Sequence, residues 1–216
     1  AKSFVVVRNT FNFIKTYVTN VGKPKNLKLE DKWLLSRLNT LIIHCTEHCK
    51  SYNEHKAAQE IMNFILNDFS RWYVKLIRDR VWVTYEGTDK AAAFYTLFTA
   101  TDALIKLLAP FTPFLSESTY QTTIKPLEKG KESIHMYDWP KANKKMVDKK
   151  LEGNMNIVKQ IVEASHAARQ QANLKLRWPV KEIVVVSSDK KIDTAVMQLK
   201  GILLQSCNTK SITVSK

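Results

Sequence analysis

The sequence predicts a mainly α-helical chain that ends in a small α+β appendage. The 216 residues include only 5 Gly and 6 Pro, too few for a loop-rich or all-β chain. Over most of residues 1–125, apolar side chains recur every third or fourth position, the spacing of a helix with one buried face. The clearest clusters of β-branched residues lie near the C-terminus, at Lys181–Val186 and Ser211–Val214.

The first three predicted helices cover the segment that ends at Trp82. Phe4–Thr19 forms the first, and Gly22 and Pro24 follow it as stop signals. The second helix covers Asp31–Tyr52, with apolar side chains on one face. The third is long, about Lys56–Trp82, and its broad apolar face predicts extensive burial.

Two more helices complete the predicted bundle. Ala91–Leu108 carries the spacing of a buried helix. Thr112 is a good N-cap for a fifth helix that runs to about Ile124. Pro113 fits its first position, because the missing N–H has no helical partner there.

The chain changes character after the fifth helix. Residues 126–150 contain Pro126, Gly130 and Pro140 and are typical of a connection. The pattern then predicts, in order, a helix over about Asp148–Ala172, the first strand, a helix over Asp189–Ser206 and the second strand. We therefore expect two domains, a helical bundle over 1–145 and a helix-strand-helix-strand junction domain over 146–216.

The composition indicates a polyanionic partner. Lys and Arg number 34 against 20 Asp and Glu, a formal net charge of +14 and a pI of about 9.7. Such a surplus favours nucleic acid or an acidic membrane surface. No apolar run approaches the roughly 18–20 residues of a membrane span, so we expect no membrane partner. Three Cys are too few for a disulfide framework and favour a reducing, cytoplasmic compartment. Since the chain starts at Ala1, we expect a piece of a longer protein.

Four potential metal ligands occur within six residues of the second predicted helix: His44, Cys45, His48 and Cys49. Two His or two Cys at i and i+4 can face one metal ion. One helix cannot easily turn all four inward, and both Cys follow the apolar face. We therefore interpret the cysteines as core residues beside partly exposed histidines, and we predict no metal site.

Three cations and a tryptophan share one face of the third predicted helix. They recur at i, i+4, i+7 and i+11 and are Arg71, Lys75, Arg78 and Trp82. Cations can neutralise phosphates and an indole can stack on an unpaired base, so this face predicts RNA binding. The alternatives are a solvated face, or arginines that bridge carboxylates of neighbouring helices.

A second candidate lies where the sixth predicted helix leads into the first strand. It consists of Arg169, Lys175, Arg177 and Trp178. We expect irregular backbone there, which lets long side chains reach outward to phosphates or bases. The alternative is that Trp178 packs the appendage on the bundle and Arg177 fixes the joint.

Catalytic signatures are absent from the sequence. It has no Gly-rich phosphate loop, no dinucleotide-binding fingerprint and no nucleophile elbow. No pair of acidic residues is placed for acid–base work. Taken alone, the residues indicate a basic helical bundle that binds a polyanion.

Several segments together resemble the class I aminoacyl-tRNA synthetases for isoleucine, valine and leucine, in the right order and over nearly the whole chain. Three lie in the bundle and two follow it: Asp31–Asn39, Ala93–Leu97, Leu108–Glu117, Ser133–Pro140 and Leu176–Val180. Asp68–Tyr73 with Arg78–Arg80 is most similar to the isoleucyl enzymes. The resemblance implies an anticodon-binding helical bundle followed by the start of a C-terminal junction domain.

The same resemblance implies the partners. They are the anticodon stem-loop of isoleucine tRNA and the remainder of the synthetase chain. The parent enzyme would use ATP and Mg²⁺ to join isoleucine to its tRNA, whereas this piece would hold no cofactor and no catalytic residue. The resemblance does not identify which individual residues of this sequence contact the tRNA. The alternatives are the same domain of a valyl enzyme and a basic helical module that binds an acidic protein.

Overall fold

The computed structural model describes residues 2–215 and divides into two compact units between Val147 and Asp148. Helices dominate, and a small parallel sheet lies in the second unit. This confirms the predicted mainly α class with a small α+β part.

The first unit is a helical bundle. Its helical segments are α1 (Lys2–Tyr17), α2 (Leu29–Lys50), α3 (Glu54–Asn63), a π-helical segment (Phe64–Val74), α4 (Lys75–Ile77), a 3₁₀ turn (Arg78–Val81), α5 (Lys90–Leu108), α6 (Pro113–Thr119) and π-helical turns (Tyr120–Ile124). The first, second and fourth predicted helices agree with α1, α2 and α5 within two residues at every end.

The core lies between α2 and α5, which contact each other along the bundle. Trp33 and Leu34 of α2 and Leu97 and Leu104 of α5 are fully buried. Burying each such side chain contributes about 1.5–3 kcal/mol. Among the described residues, α5 alone is long and apolar enough to cross a membrane, whereas we expected no such segment. However, 67% of its most apolar 18-residue stretch is buried inside the protein. This burial identifies α5 as a core helix of the bundle.

The long third helix differs from its prediction. The segment Glu54–Val81 is helical throughout, but its hydrogen bonding changes from α to π, back to α and then to 3₁₀. Phe64, Phe69 and Tyr73 lie on the buried side and their rings stack at centroid distances of 6.5 and 6.4 Å. The first pair is five residues apart, which suits the wider turn of a π-helix.

The connection after α6 docks onto α2. The indole Nε1 of Trp139 donates to Oγ1 of Thr46 at 2.9 Å. The backbone N–H of Asn143 donates to Oδ1 of Asn39 at 2.6 Å. Short 3₁₀ turns at Ile134–Met136 and Lys144–Met146 lie within this segment.

The second unit contains α7 (Lys149–Gln171), β1 (Val180–Val186), α8 (Lys190–Gln198), α9 (Lys200–Cys207) and β2 (Thr209–Ser215). Asp148 caps α7 by accepting the N–H of Leu151 at 2.9 Å. The two strands are parallel, with Ile183 opposite Ile212. The prediction of a single helix over Asp189–Ser206 is wrong. The helix is interrupted at buried Leu199, which allows both α8 and α9 to pack on α7.

Candidate nucleic-acid interface

Three of the predicted cations are exposed along the long helical segment of the first unit, and we call them the basic stripe: Arg71, Lys75 and Arg78. The side chain of Arg71 donates to Oδ1 of Asn67 at 3.0 Å, a neutral partner on the same segment. None of the ion pairs found within residues 2–215 includes a stripe residue. In this part of the chain, the three cations therefore do not bridge carboxylates of neighbouring helices, which was the alternative interpretation.

Trp82 lies off the face that the sequence predicted for it. The helix ends in the 3₁₀ turn at Val81, and Trp82 has extended backbone angles (φ −60°, ψ 147°). A 3₁₀ turn has about three residues per turn, so it rotates the following residue away from an α-helical stripe. The indole is 50% exposed, and its ring centroid lies 5.8 Å from that of Tyr17. Trp82 is therefore an accessible aromatic side chain next to α1.

A buried ionic cluster holds the end of the long helix against the starts of α2 and α5. Arg80 is 7% exposed and Asp31 is fully buried. The Arg80 guanidinium donates to Asp31 at 2.9 and 3.0 Å and to Glu30 at 2.8 Å, and its Nε forms an ion pair with the Asp89 carboxylate at 3.0 Å. Tyr73 donates to the same Asp31 carboxylate at 2.7 Å.

The protonation equilibria of the cluster follow from these contacts. Burial raises the pKa of Glu30, with a further contribution from neighbouring Asp31. Burial would also raise the pKa of Asp89, but hydrogen bonds from Lys28 and Tyr85 and the charge of Arg80 outweigh it and lower that pKa to about 2. Sequence reasoning missed this cluster, because no spacing rule connects Asp31 with residues about fifty positions later.

Arg169 does not reach outward, so this part of the predicted RNA surface is wrong. Its side chain is buried at 5% exposure. The guanidinium donates to the carbonyl oxygens of Cys207 at 2.8 Å and Lys175 at 2.9 Å, and also to that of Trp178. Arg169 therefore stabilises the turn between α7 and β1, because it satisfies carbonyl groups that have no strand or helix partner.

The other three residues of the predicted joint surface are exposed in the second unit. They are Lys175, Arg177 and Trp178, which we call the joint surface. Trp178 is 52% exposed, and Nζ of Lys175 lies 5.9 Å from the centroid of its ring. Asn173 has a positive φ of 53°, which turns the chain away from the end of α7.

The His and Cys residues of α2 are arranged as core and surface residues. Cys45 is fully buried and Cys49 is half-buried. The imidazoles of His44 and His48 each lie 3.2 Å from a carboxylate oxygen of Glu60 on α3. In the part of the chain that the structure describes, no group of three or more His, Cys, Asp or Glu side chains is placed to hold a metal ion.

Sequence reasoning also missed a basic pocket on the first unit. It lies between the segment after α1, α2 and α5, and its lining includes Lys23, Lys25, Lys32 and Tyr95. The signal was present as Lys23-Pro24-Lys25, which we interpreted only as a helix stop. The lysine pair lines a pocket only because Lys32 of α2 and Tyr95 of α5 lie next to it in the folded chain.

Comparisons with known proteins agree with the resemblance. The family described as the anticodon-binding domain of tRNA ligase matches residues 31–185. The isoleucine–tRNA ligase of Pyrococcus abyssi is 46% identical over 213 residues, 98% of this chain and 20% of that protein. That of Thermococcus kodakarensis is 43% identical over 205 residues, 95% of this chain and 19% of the relative. That of Archaeoglobus fulgidus is 39% identical over 213 residues, 97% of this chain and 21% of the relative. The chain thus spans about a fifth of the length of the curated relatives it matches.

Proposed function

The chain belongs to the family of anticodon-binding domains of tRNA ligases, and we propose that it binds the anticodon stem-loop of isoleucine tRNA through its exposed basic surfaces. The relatives it matches are isoleucine–tRNA ligases, so the alternative of a valyl enzyme is not favoured. The domain recognises tRNA, and the chemistry belongs to another part of the enzyme.

One observation carries the choice of surface. Arg71, Lys75 and Arg78 are exposed and form no ion pair among the described residues, so their charge is available to an external anion. A phosphate that meets an unpaired cation releases its counterions without first breaking a protein ion pair. The basic stripe therefore suits the RNA backbone, which fixes the position of the bound stem-loop.

The joint surface supplies the second set of contacts. Lys175 and Arg177 provide charge, and the half-exposed indole of Trp178 offers a face on which an unstacked base can lie. Trp82 offers a similar face in the first unit. Aromatic stacking is tolerant of base identity, so discrimination between anticodons requires polar groups around the stacked base.

We propose that ATP and Mg²⁺ act in the remainder of the parent enzyme, in the cytoplasm, to join isoleucine to its tRNA. The residues of this chain do not fit those groups. No Gly-rich loop occurs in the sequence, and no cluster of three metal ligands lies within residues 2–215. The proposed partners of this domain are therefore the tRNA and the remaining four-fifths of a synthetase chain.

Filter binding with the full 216-residue chain tests the proposal. The probes are isoleucine tRNA, the same tRNA with an altered anticodon, and heparin as competitor. We expect at least a tenfold preference for the unaltered tRNA and a loss of tenfold or more in the variant R71A/K75A/R78A. A matched control, K50A/K56A/K129A, removes three exposed charges elsewhere in the same unit and should bind nearly as the wild type does.

Two results would contradict the proposal. Equal affinity for both tRNAs would leave only non-specific electrostatic attraction. Heparin that competes as well as tRNA would favour the basic module that binds an acidic protein.

A further inference from the structure

The basic pocket lies apart in sequence from the basic stripe and the joint surface. Its volume is about 370 Å³, within the range of roughly 300–1,000 Å³ typical of small-ligand sites. The segment after α1 contributes one wall, α2 contributes Lys32 and α5 contributes Tyr95. The remaining lining residues are Pro24, Asn26 and Leu27.

The charge of the pocket is positive and is not compensated locally. Lys23, Lys25 and Lys32 are exposed, and no ion pair in the described part of the chain involves them. No carboxylate lines the pocket. The acidic residues in the first turn of α2, Glu30 and Asp31, are bonded instead to the buried Arg80. The lysines therefore face an open volume without an anion of the protein.

The neighbouring lysine differs in this respect. Nζ of Lys28 lies 2.5 Å from a carboxylate oxygen of Asp89, so the charge of this half-exposed lysine is paired within the protein. The chain thus separates four lysines within ten residues into one that pairs internally and three that line the pocket. This separation leaves the three charges available to an external anion.

The rest of the lining has the properties of a site for a base or a sugar. Tyr95 is partly exposed and presents an aromatic ring, and Pro24 and Leu27 add apolar surface. The amide of Asn26 can both donate and accept a hydrogen bond. A purely anionic peptide would use the lysines and leave this half of the pocket without a role, whereas a nucleotide joins an anion to a flat aromatic ring.

We propose that this pocket binds one unpaired nucleotide of the tRNA, with its phosphate against Lys23, Lys25 and Lys32 and its base against Tyr95. The inference rests on the proposed function, because the nucleotide belongs to the tRNA that the domain recognises. It adds a third contact region, distinct in its residues from the two predicted from sequence.

Four forms of the 216-residue chain test the pocket against isoleucine tRNA: wild type, K23A/K25A/K32A, Y95A and Y95F. We expect the lysine variant to lose at least tenfold in affinity and to bind with a flatter salt dependence, since each lost phosphate contact lowers the slope by about 0.7 to 0.9. Y95A should lose about 5- to 100-fold with an unchanged salt slope, because stacking is not ionic. Y95F keeps the ring and should bind as the wild type does.

Circular dichroism and thermal melting must show that all four forms are folded alike, and ultraviolet cross-linking supplies a readout independent of affinity. We expect Tyr95 to be in a cross-linked peptide with wild-type protein and tRNA. Unchanged affinities of K23A/K25A/K32A and Y95A, together with a weakened R71A/K75A/R78A variant, would overturn this inference alone. A wild-type chain that binds no tRNA would overturn the proposed function and this inference together. A mononucleotide that binds as tightly as tRNA would overturn the assignment to RNA.

Discussion

Nη2 of Arg80 lies 2.9 Å from Oδ2 of Asp31, and both side chains are buried. The same carboxylate accepts hydrogen bonds from the hydroxyl of Tyr73 and from the backbone N–H of Lys28. A buried carboxylate is tolerated only when its lone pairs are satisfied, and here they are. The contact fixes the end of the long helical segment, and so the basic stripe, relative to the start of α2.

Replacing Arg80 with Met should destabilise the protein severely. The variant leaves Asp31 and Glu30 without the Arg80 cation and Asp89 with Lys28 alone, and an uncompensated buried charge costs about 3–5 kcal/mol. The measurement is the free energy of unfolding in urea. R78A, two residues earlier and exposed, is the matched control and should change it by less than about 0.5 kcal/mol. If R80M lowers the free energy of unfolding by less than about 1 kcal/mol, the cluster does not stabilise the folded state as we propose.

Asp89 should make the fold sensitive to acid. Its folded pKa of about 2 lies below the usual value of 3.8, so the ionised form stabilises the folded state above about pH 4. This contribution, on the order of 2 kcal/mol for a carboxylate that is mostly buried, is lost as the pH falls from about 4 towards 2.

The measurement is the free energy of unfolding of wild type and D89N from pH 6 to pH 2. The difference between the two should shrink across that window. Glu30 acts in the opposite direction, because its raised pKa favours the protonated form, but it is present in both proteins. A difference that stays constant down to pH 2 would contradict the assignment.

Helix positions were predictable where local pattern and tertiary environment agree. α5 lies within one residue of its predicted start and ends at its predicted end, because apolar periodicity and the Pro-rich stop after Leu108 both derive from local sequence. The π-helical segment was not predictable. It depends on burying Phe64 and Phe69 together, and no spacing rule states in advance that a helix will widen to do so.

The candidate site was predictable in composition but not in orientation. Arg78 and Arg80 are two residues apart, and only the position of Asp31 decides that Arg80 is buried while Arg78 is exposed. The burial of Arg169 was not predictable for the same reason. Its guanidinium donates to carbonyl groups that come together only when the turn has formed. Sequence supplies the cations, and the packed backbone decides which of them meet solvent.

Arg169 and Arg177 should therefore respond in opposite ways to substitution by Met. R169M removes a buried guanidinium that donates to the carbonyl oxygens of Cys207 and Lys175, and it should lower the free energy of unfolding of the second unit by about 2–4 kcal/mol. R177M removes an exposed side chain and should change stability by less than about 0.5 kcal/mol while weakening tRNA binding. Hydrogen exchange and filter binding measure the two effects. An R169M protein that keeps full stability but loses tRNA affinity would restore Arg169 as an RNA contact.

The three cysteines should differ in reactivity. Burial raises the pKa of Cys45 to about 12, so almost none of this thiol is ionised near neutral pH. Burial also raises the pKa of Cys49, but its side chain is half-exposed. We expect iodoacetamide at pH 8 to label Cys49 first, and Cys45 and Cys207 only on unfolding, as measured by mass spectrometry of peptides. Rapid labelling of Cys45 in the folded protein would contradict its place in the core.

The basic stripe should contribute a defined part of the salt dependence of tRNA binding. Each cation that neutralises a phosphate contributes about 0.7–0.9 to the slope of log affinity against log salt concentration. R71A/K75A/R78A should therefore flatten the slope by about two to three if all three cations contact phosphates. R78A alone should flatten it by about one, and K50A/K56A/K129A should leave it unchanged. Because both triple variants lower the net charge by three, a general field effect would flatten both slopes alike, whereas phosphate contacts at the stripe flatten only the first.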